Sequence, residues 1–133
     1  MMKRRVLILQ DHLRGGGTER QSIRLSRALL DNGWDAKLLV GSPGGRLDAL
    51  AQDELAHHLH FCSTTASPLT SLRALQQLQQ RTANQPMVLL AMGRWANCLL
   101  GFCRRDSDTR TIATVRTSRP LPYLYRRSIR HAD

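Results

Sequence analysis

Five short runs of apolar residues are spaced along the first 116 positions of the chain. The runs mostly lack the strict alternation of apolar and polar residues that marks a strand with one solvated face. Continuous runs of this length are typical of strands that are buried on both faces of a parallel sheet. The pattern therefore predicts strands at residues 5–10, 35–41, 57–62, 87–92 and 110–116.

Segments with a helical spacing of apolar residues separate and follow these runs. They predict helices at residues 19–32, 46–54, 69–83, 94–104 and 121–132. Strands and helices that alternate at this spacing are typical of a parallel sheet with helices on both faces. The predicted fold class is therefore α/β, Rossmann-like, in one domain that spans residues 1–133.

The first predicted helix carries end signals and two distinct sides. Thr18 is the expected N-cap, and Gly33 follows the last helical residues. The side expected to pack on the sheet carries Ser22, Leu25, Ser26, Leu29 and Leu30. The opposite side carries Arg20, Arg24 and Arg27. Arg24 and Arg27 are interpreted as solvated, whereas Arg20 is a functional candidate because it starts the helix beside a glycine loop.

The charge balance of the chain is strongly positive. Its 133 residues include 20 Lys+Arg against 10 Asp+Glu, which gives a formal net charge of +10, and most of the cations are arginine. The planar guanidinium group matches phosphate and carboxylate. The composition therefore indicates an anionic partner, which could be a nucleic acid, an anionic lipid headgroup or a phosphorylated small molecule.

Composition also narrows the class of protein. Apolar residues make up 41% of the chain, which is enough for a folded core. No apolar run approaches the roughly 18 residues that span a bilayer, and the N-terminal run is shorter than the ~7–15 residues of a signal-peptide core. A cytoplasmic protein is expected. Cys62, Cys98 and Cys103 form no Cys-x-x-Cys pair, which favours reduced thiols over a disulfide or a zinc site.

A glycine loop joins the first predicted strand to the first predicted helix, with Gly15, Gly16 and Gly17 ahead of Thr18 and Glu19. It differs from a dinucleotide-binding loop because an arginine replaces the third glycine and no carboxylate ends the second strand. The Gly-Lys-Ser/Thr of a nucleoside triphosphatase loop is also missing. A helix N-terminus after a glycine turn collects unpaired N–H groups and the positive end of the helix dipole. We therefore expect this loop to bind a phosphate or another oxyanion.

The loop and the helix after it resemble the amino-terminal domain of family 4 retaining glycosyltransferases, which have the GT-B architecture. The matching positions are Gly16, Gly17, Glu19, Arg20, Leu25, Ala28, Leu29, Gly33 and Ala36. Residues 112–118 are similar to a late strand and polar loop of that family, and residues 123–133 to its helix ending in Ala-Asp. The resemblance covers nearly all of the 133 residues, and only about the first third of a complete enzyme of this type.

The resemblance implies transfer of a sugar from a nucleotide-sugar donor to a glycan or lipid-linked acceptor. It also implies retention of anomeric configuration and no obligatory metal or other cofactor. In the family, the amino-terminal domain holds mainly the acceptor, and a second domain with a Glu-x7-Glu pattern holds most of the donor. That donor-binding domain is missing from this sequence, so the chain is interpreted as an acceptor-binding fragment that does not catalyse transfer alone. Cell-envelope polysaccharide or lipopolysaccharide synthesis is the expected setting.

Candidate substrate- and phosphate-binding residues fall at the glycine loop, at the start of the fourth predicted helix and after the last predicted strand. They are Gly15, Gly16, Gly17, Thr18, Glu19, Arg20, Arg94, Asn97, Arg116, Thr117, Ser118 and Arg119. The last four follow a strand end, where open α/β sheets bind ligands. Many members of the family have a histidine after the fourth strand, but this chain reads Leu90-Ala91-Met92-Gly93-Arg94 there. No catalytic residue is therefore assigned.

One face of the last predicted helix is basic, with residues at positions i, i+3, i+4 and i+7. These residues are Tyr123, Arg126, Arg127 and Arg130. Each basic residue beside an anionic membrane contributes about 1 kcal/mol of attraction, so this face fits a peripheral position on the inner membrane surface. A simply solvated face fits the same pattern.

Two other interpretations remain open. A basic α/β module that binds nucleic acid or a phosphorylated ligand would explain the charge without catalysis, although aromatic residues are only 5% of the chain and no nucleic-acid-binding motif is readable. A stand-alone flavodoxin-like or regulator-like domain would need a complete sheet within these residues. Metal binding is not expected, because His57, His58 and His60 have no carboxylate or fourth ligand nearby in the sequence.

Overall fold

The computed structural model describes residues 3–62, 73–77, 79, 86–101 and 108–114. Its five strands all pair in parallel, in the order β3-β2-β1-β4-β5. They are β1 (Arg5–Gln10), β2 (Asp35–Val40), β3 (Leu59–Phe61), β4 (Met87–Ala91) and β5 (Thr109–Ala113). The predicted α/β fold class with a Rossmann-like parallel sheet is thereby confirmed.

Helices connect the strands. They are α1 (Gly17–Asp31), α2 (Asp48–Leu55), α3 (the helical residues 73–77 and 79) and α4 (Arg94–Leu100). A short 3₁₀ turn, Ala56–His58, lies between α2 and β3. No helix in the described part of the chain is long and apolar enough to cross a membrane.

The hydrophobic core has two parts, one on each face of the sheet. Successive strand residues point to opposite faces, so Val6 and Ile8 lie in the part that α1 and α2 cover. Leu7 and Leu9 lie in the other part, together with Leu75 of α3 and three buried residues of α4. Because β1 is buried on both sides, its sequence reads as a continuous apolar run. The helices therefore cover both faces of the sheet, as predicted.

Several element ends differ from the prediction. β3 is limited to Leu59–Phe61 because the 3₁₀ turn occupies the positions before it. α1 begins at Gly17 with Gly16 as its N-cap, so the prediction of Thr18 as the cap is wrong. Gly17 already has helical backbone geometry, which places the Thr18 hydroxyl inside the first turn. The carbonyl oxygen of Thr18 accepts a hydrogen bond from the Ser22 hydroxyl instead.

The inward side of α1 is also rotated slightly from the predicted one. Ser22, Ile23 and Ser26 are buried, whereas Leu25 is 37% exposed. Buried positions spaced by three and four residues form one stripe, and Leu25 lies 100° around the helix axis from Ser26. The prediction that Leu25 packs on the sheet is therefore wrong, and the small serines let the helix approach the sheet closely.

Candidate functional site

The loops at the carboxyl edge of the sheet meet around the first loop of the chain. The strand order reverses direction between β1 and β4, and in open α/β sheets ligands bind at such a switch point, beyond the carboxyl ends of the strands. The loops that follow β1, β2 and β4 converge there. This edge also carries the glycine loop, which brings the main sequence-predicted site to the position that the topology favours.

Backbone hydrogen bonds join the β1–α1 and β2–α2 loops. Ser42 N–H donates to Asp11 O at 3.1 Å, and Leu47 N–H donates to Leu13 O at 2.8 Å. The β2–α2 loop approaches so closely at Gly45 that any Cβ there would run into the Leu13 backbone. The two loops therefore act as one framework.

This framework brings a basic side chain to the glycine loop. Arg46 follows Gly45, and its Cδ lies 4.0 Å from the position that a Cβ on Gly15 would take. Arg14 and Arg20 are exposed on the two sides of the glycines. Gly15 has φ +122°, a conformation that L side chains rarely adopt, so the turn requires glycine. We call Arg14, Gly15, Gly16, Gly17, Arg20 and Arg46 the glycine-loop site.

The N-terminus of α1 opens into this site. The N-cap of the helix is Gly16, which has no side chain that could cap it. The first backbone N–H groups of a helix carry partial positive charge, which the dipole reinforces. Arg14, Arg20 and Arg46 add positive charge near this helix end, and the Glu19 carboxylate over Gly16 offsets part of it.

Glu19 and His12 close the inner side of the loop. Glu19 is only 8% exposed, and its Oε1 lies 3.3 Å from His12 Nδ1. The Glu19 carboxylate folds back over Gly16, so a Cβ at that position would collide with it. Arg14 N–H also donates to His12 Nδ1, at 3.3 Å. Nδ1 accepts from Arg14 N–H when it carries no proton and pairs with Glu19 when it does, and either contact leaves Nε2 as the ring nitrogen on the opposite edge.

His12 is a candidate that the sequence analysis did not single out. Its side chain is 34% exposed, so a ligand in the loop can reach it. An imidazole in this position can exchange a hydrogen bond or a proton with a hydroxyl group. The sequence signal was available, since the histidine stands two residues after β1, but its contact with Glu19 depends on the fold of the loop.

Asp11 anchors the same loop to α4. Its carboxylate accepts hydrogen bonds from Trp95 N–H at 3.1 Å and from Ala96 N–H at 2.9 Å. A Cβ on Gly93 would lie 2.6 Å from the Asp11 Cγ, so only glycine fits beside this carboxylate. Asp11 therefore serves as the anion at the start of α4, and that helix end is not open to a ligand.

The two sequence-predicted candidates on α4 have different positions. Arg94 is exposed at the first position of the helix, beside the switch point. Asn97 is 0% exposed, and its Nδ2 donates to Gly93 O at 2.9 Å and to Thr114 O at 2.8 Å. Asn97 thus ties α4 to the end of β5, and its burial removes it from the set of residues that a ligand can contact directly.

The remaining candidates lie outside the described residues. They are Arg116, Thr117, Ser118, Arg119, Tyr123, Arg126, Arg127 and Arg130, with the predicted helix at 121–132 and Cys103. Cys62 and Cys98 are reduced thiols, and burial raises the pKa of Cys98. Among the described residues, no group of three or more His, Cys, Asp or Glu side chains is arranged to hold a metal ion.

The histidines near β3 form a separate pair at the sheet edge. The rings of His57 and His58 are 4.0 Å apart between centroids. Burial, and then repulsion from His57, lower the pKa of His58.

Comparison of the chain with protein-family models, with curated proteins and with solved structures gives no match.

Proposed function

We propose that this chain is the acceptor-binding domain of a retaining glycosyltransferase and that the glycine-loop site holds an anionic group of the substrate. The observation that carries the proposal is that Arg46 of the β2–α2 loop lies against the glycine turn at the N-terminus of α1, at the carboxyl edge of the sheet, with Arg14 and Arg20 exposed on either side of the glycines. The resemblance of the loop and α1 to family 4 enzymes supports the choice of a sugar-bearing ligand over other anions.

Each part of the site has a distinct role in this proposal. The open space beside Gly17 lets a phosphate or carboxylate approach the backbone N–H groups, and the arginines supply positive charge that is already in place when the ligand arrives. Nε2 of His12 bonds a sugar hydroxyl, while Glu19 keeps the ring oriented. Arg94 contacts the ligand from the β4 side of the switch point.

The reaction itself belongs to a larger assembly in this proposal. A donor-binding domain would supply the nucleotide sugar, and residues 1–133 would bind the glycan or lipid-linked acceptor without catalysing transfer alone. Preorganised positive charge at the loop favours the anionic acceptor, and no metal or other cofactor is required. The setting is synthesis of an envelope polysaccharide or lipopolysaccharide at the inner membrane face, where the basic tail residues 123–130 contact anionic lipid.

Binding of small anions to the full 133-residue chain tests the site. We would titrate the chain with inorganic phosphate, glucose 6-phosphate and glucose, and follow backbone amide NMR signals. We expect saturable shifts at Gly16 and Gly17 with both phosphates, and tighter binding of glucose 6-phosphate because its hydroxyls add hydrogen bonds. Arg46→Gln should weaken binding about tenfold, since a charged hydrogen bond contributes about 1.5 kcal/mol.

A matched variant and a competitor separate this proposal from the alternative. Arg73→Gln removes the same charge from an exposed position outside the site and should leave binding unchanged. If phosphate and glucose 6-phosphate bind equally and duplex DNA displaces both at low salt, the basic binding module is the correct interpretation. Equal weakening by Arg46→Gln and Arg73→Gln would show that only net charge matters, and the site would be rejected.

A further inference from the structure

A second basic surface lies outside the glycine-loop site, between α1 and α2. It is a groove of about 370 Å³, within the size range of small-molecule pockets. Its lining includes Arg20, Arg24 and Arg27 from α1, and Leu50 and Glu54 from α2. We call it the α1–α2 groove. It runs away from the carboxyl edge of the sheet along the outer side of both helices.

The charges in the groove are separated along its length. Arg27 Nη2 lies 2.8 Å from Asp31 Oδ1, and Arg27 Nη1 donates to Glu54 O at 3.2 Å. That guanidinium is therefore committed to closing one end of the groove. Of the residues that the structure describes, no carboxylate lies within ion-pair distance of Arg20 or Arg24.

Arg20 and Arg24 are placed to hold one anion together. They are four residues apart on α1, so their side chains leave the helix on the same face, with Cβ atoms about 5–6 Å apart. Two planar guanidinium groups at this spacing can share one tetrahedral oxyanion, which accepts several hydrogen bonds. The open end of the groove therefore suits a phosphate group.

The wall opposite the arginines, on α2, consists of Leu50 and Glu54. Leu50 is 41% exposed and lines the groove, and the side chain of Ile23 borders it from α1. An exposed leucine is ordinary by itself, but here it faces two arginines across a concave surface. A ligand that carries an apolar chain next to its phosphate would cover Leu50 and pair with the arginines at the same time.

We infer that the α1–α2 groove binds an amphiphilic phosphate, meaning a phosphate ester with an apolar chain. Arg20 and Arg24 hold the phosphate, and Leu50 contacts the chain. This site lies beyond the sugar-binding role of the glycine loop and shares only Arg20 with it. The same chemistry occurs in soluble alkyl phosphates and in phospholipid headgroups, which the experiment distinguishes.

The test uses the full chain and three small probes, which are hexyl phosphate, inorganic phosphate and hexanol. Backbone amide NMR should show saturable shifts at Arg24 and Leu50 with hexyl phosphate. Hexyl phosphate should bind about tenfold more tightly than inorganic phosphate at these signals, because burial of about two methylene groups gives that factor. Hexanol should produce no saturable shift. Equal affinity for the two phosphates, or shifts confined to other residues, overturns the inference.

Matched variants assign the two roles. Arg24→Gln should weaken hexyl phosphate binding about tenfold, whereas Arg110→Gln, an exposed arginine on β5, should leave it unchanged. Leu50→Ser should remove the advantage of hexyl phosphate over inorganic phosphate. Leu25→Ser changes an equally exposed leucine outside the groove and should keep that advantage. Identical behaviour within either pair of variants rejects the assigned role.

A vesicle arm identifies the source of the phosphate. The chain and Arg24→Gln would be sedimented with phosphatidylcholine vesicles that contain or lack phosphatidylglycerol. Binding that requires phosphatidylglycerol and is lost in Arg24→Gln supports a lipid headgroup, whereas hexyl phosphate binding without vesicle binding supports a soluble ester. Arg24 lies outside the glycine-loop site, so failure here leaves the titrations of Gly16 and Gly17 unaffected.

Discussion

The link between Asp11 and α4 gives the strongest stability prediction. The Asp11 carboxylate accepts two backbone hydrogen bonds at the start of α4, from Trp95 and Ala96. Loss of a helix cap costs about 0.5–2 kcal/mol, and each bond to a charged group contributes about 1.5–3 kcal/mol. These contributions overlap because they describe the same contacts. We therefore expect Asp11→Ala to lower the free energy of unfolding by about 2–3 kcal/mol.

The same contact predicts coupling with Gly93. A Cβ there would lie 2.6 Å from the Asp11 Cγ, closer than real Cβ contacts. The backbone φ of Gly93 is −153°, which alanine adopts readily, so the expected penalty is a steric one alone. Gly93→Ala should cost about 2 kcal/mol, as overpacking does. In the Asp11→Ala background the cost should fall by at least about 1 kcal/mol, because the opposing carboxylate is gone.

Urea unfolding followed by circular dichroism at the helical band measures all four corners of this cycle. Asp53→Ala is the matched control, since it removes the same charge from an exposed position on α2. It should change the stability by less than about 0.5 kcal/mol. The reasoning fails if Asp11→Ala and Asp53→Ala are equally stable, or if Gly93→Ala has the same cost in both backgrounds.

Three further predictions concern other parts of the sheet and its loops. Gly45→Ala should destabilise the protein by about 2 kcal/mol in urea unfolding, because its Cβ meets the Leu13 backbone, which cannot rotate away. Ser22→Ala should cost about 1–2 kcal/mol, since its Oγ donates to the buried Gln10 Oε1 at 2.6 Å. The lowered pKa of His58 means that the unfolded state binds the proton more readily, so stability should fall as the pH drops below about 6.5, and His58→Gln should flatten this dependence.

Control substitutions test the reasoning behind the Gly45 and Ser22 predictions. Gly17→Ala places its Cβ in open space and should be nearly neutral in the same unfolding assay. Ser26 is as buried as Ser22 but bonds only within its own helix, so Ser26→Ala should cost less than Ser22→Ala. Equal costs within either pair would contradict the argument from contacts. An unchanged pH profile in His58→Gln would remove that residue as the cause of acid destabilisation.

The central strands and the first helix could be predicted because their signals are local. β1 is buried on both faces, and the strand predicted at residues 5–10 matches the observed strand Arg5–Gln10 residue for residue. The end of α1 was also readable, since Gly33 has φ +81° after the Asn32 cap. The N-cap of α1 could not be predicted. Gly16 and Gly17 can each adopt either helical or non-helical backbone angles, so the sequence does not indicate at which of them the helix begins.

Only part of the candidate site could be predicted from the sequence. The glycines and Arg20 are contiguous, so their meeting at one loop follows from order in the chain. Arg46 reaches the site from the β2–α2 loop, and Asp11 ties the β1–α1 loop to α4, and both contacts depend on the strand order. The sequence signal for the contact between Asp11 and α4 is a carboxylate just after β1 together with a glycine, Gly93, just after the neighbouring strand β4.

The strand order also determines which parts of the molecule can assemble early. β1 pairs with β2 across about 30 residues but with β4 across about 80, so the second pairing closes a much larger loop of chain. The entropic difference is about 0.9 kcal/mol for flexible loops. The unit from β1 to β3 is therefore the expected folding nucleus, with β4 joining later. The bonds of Asp11 to α4 span 84 and 85 positions, so weakening them should accelerate unfolding while leaving the refolding rate nearly unchanged.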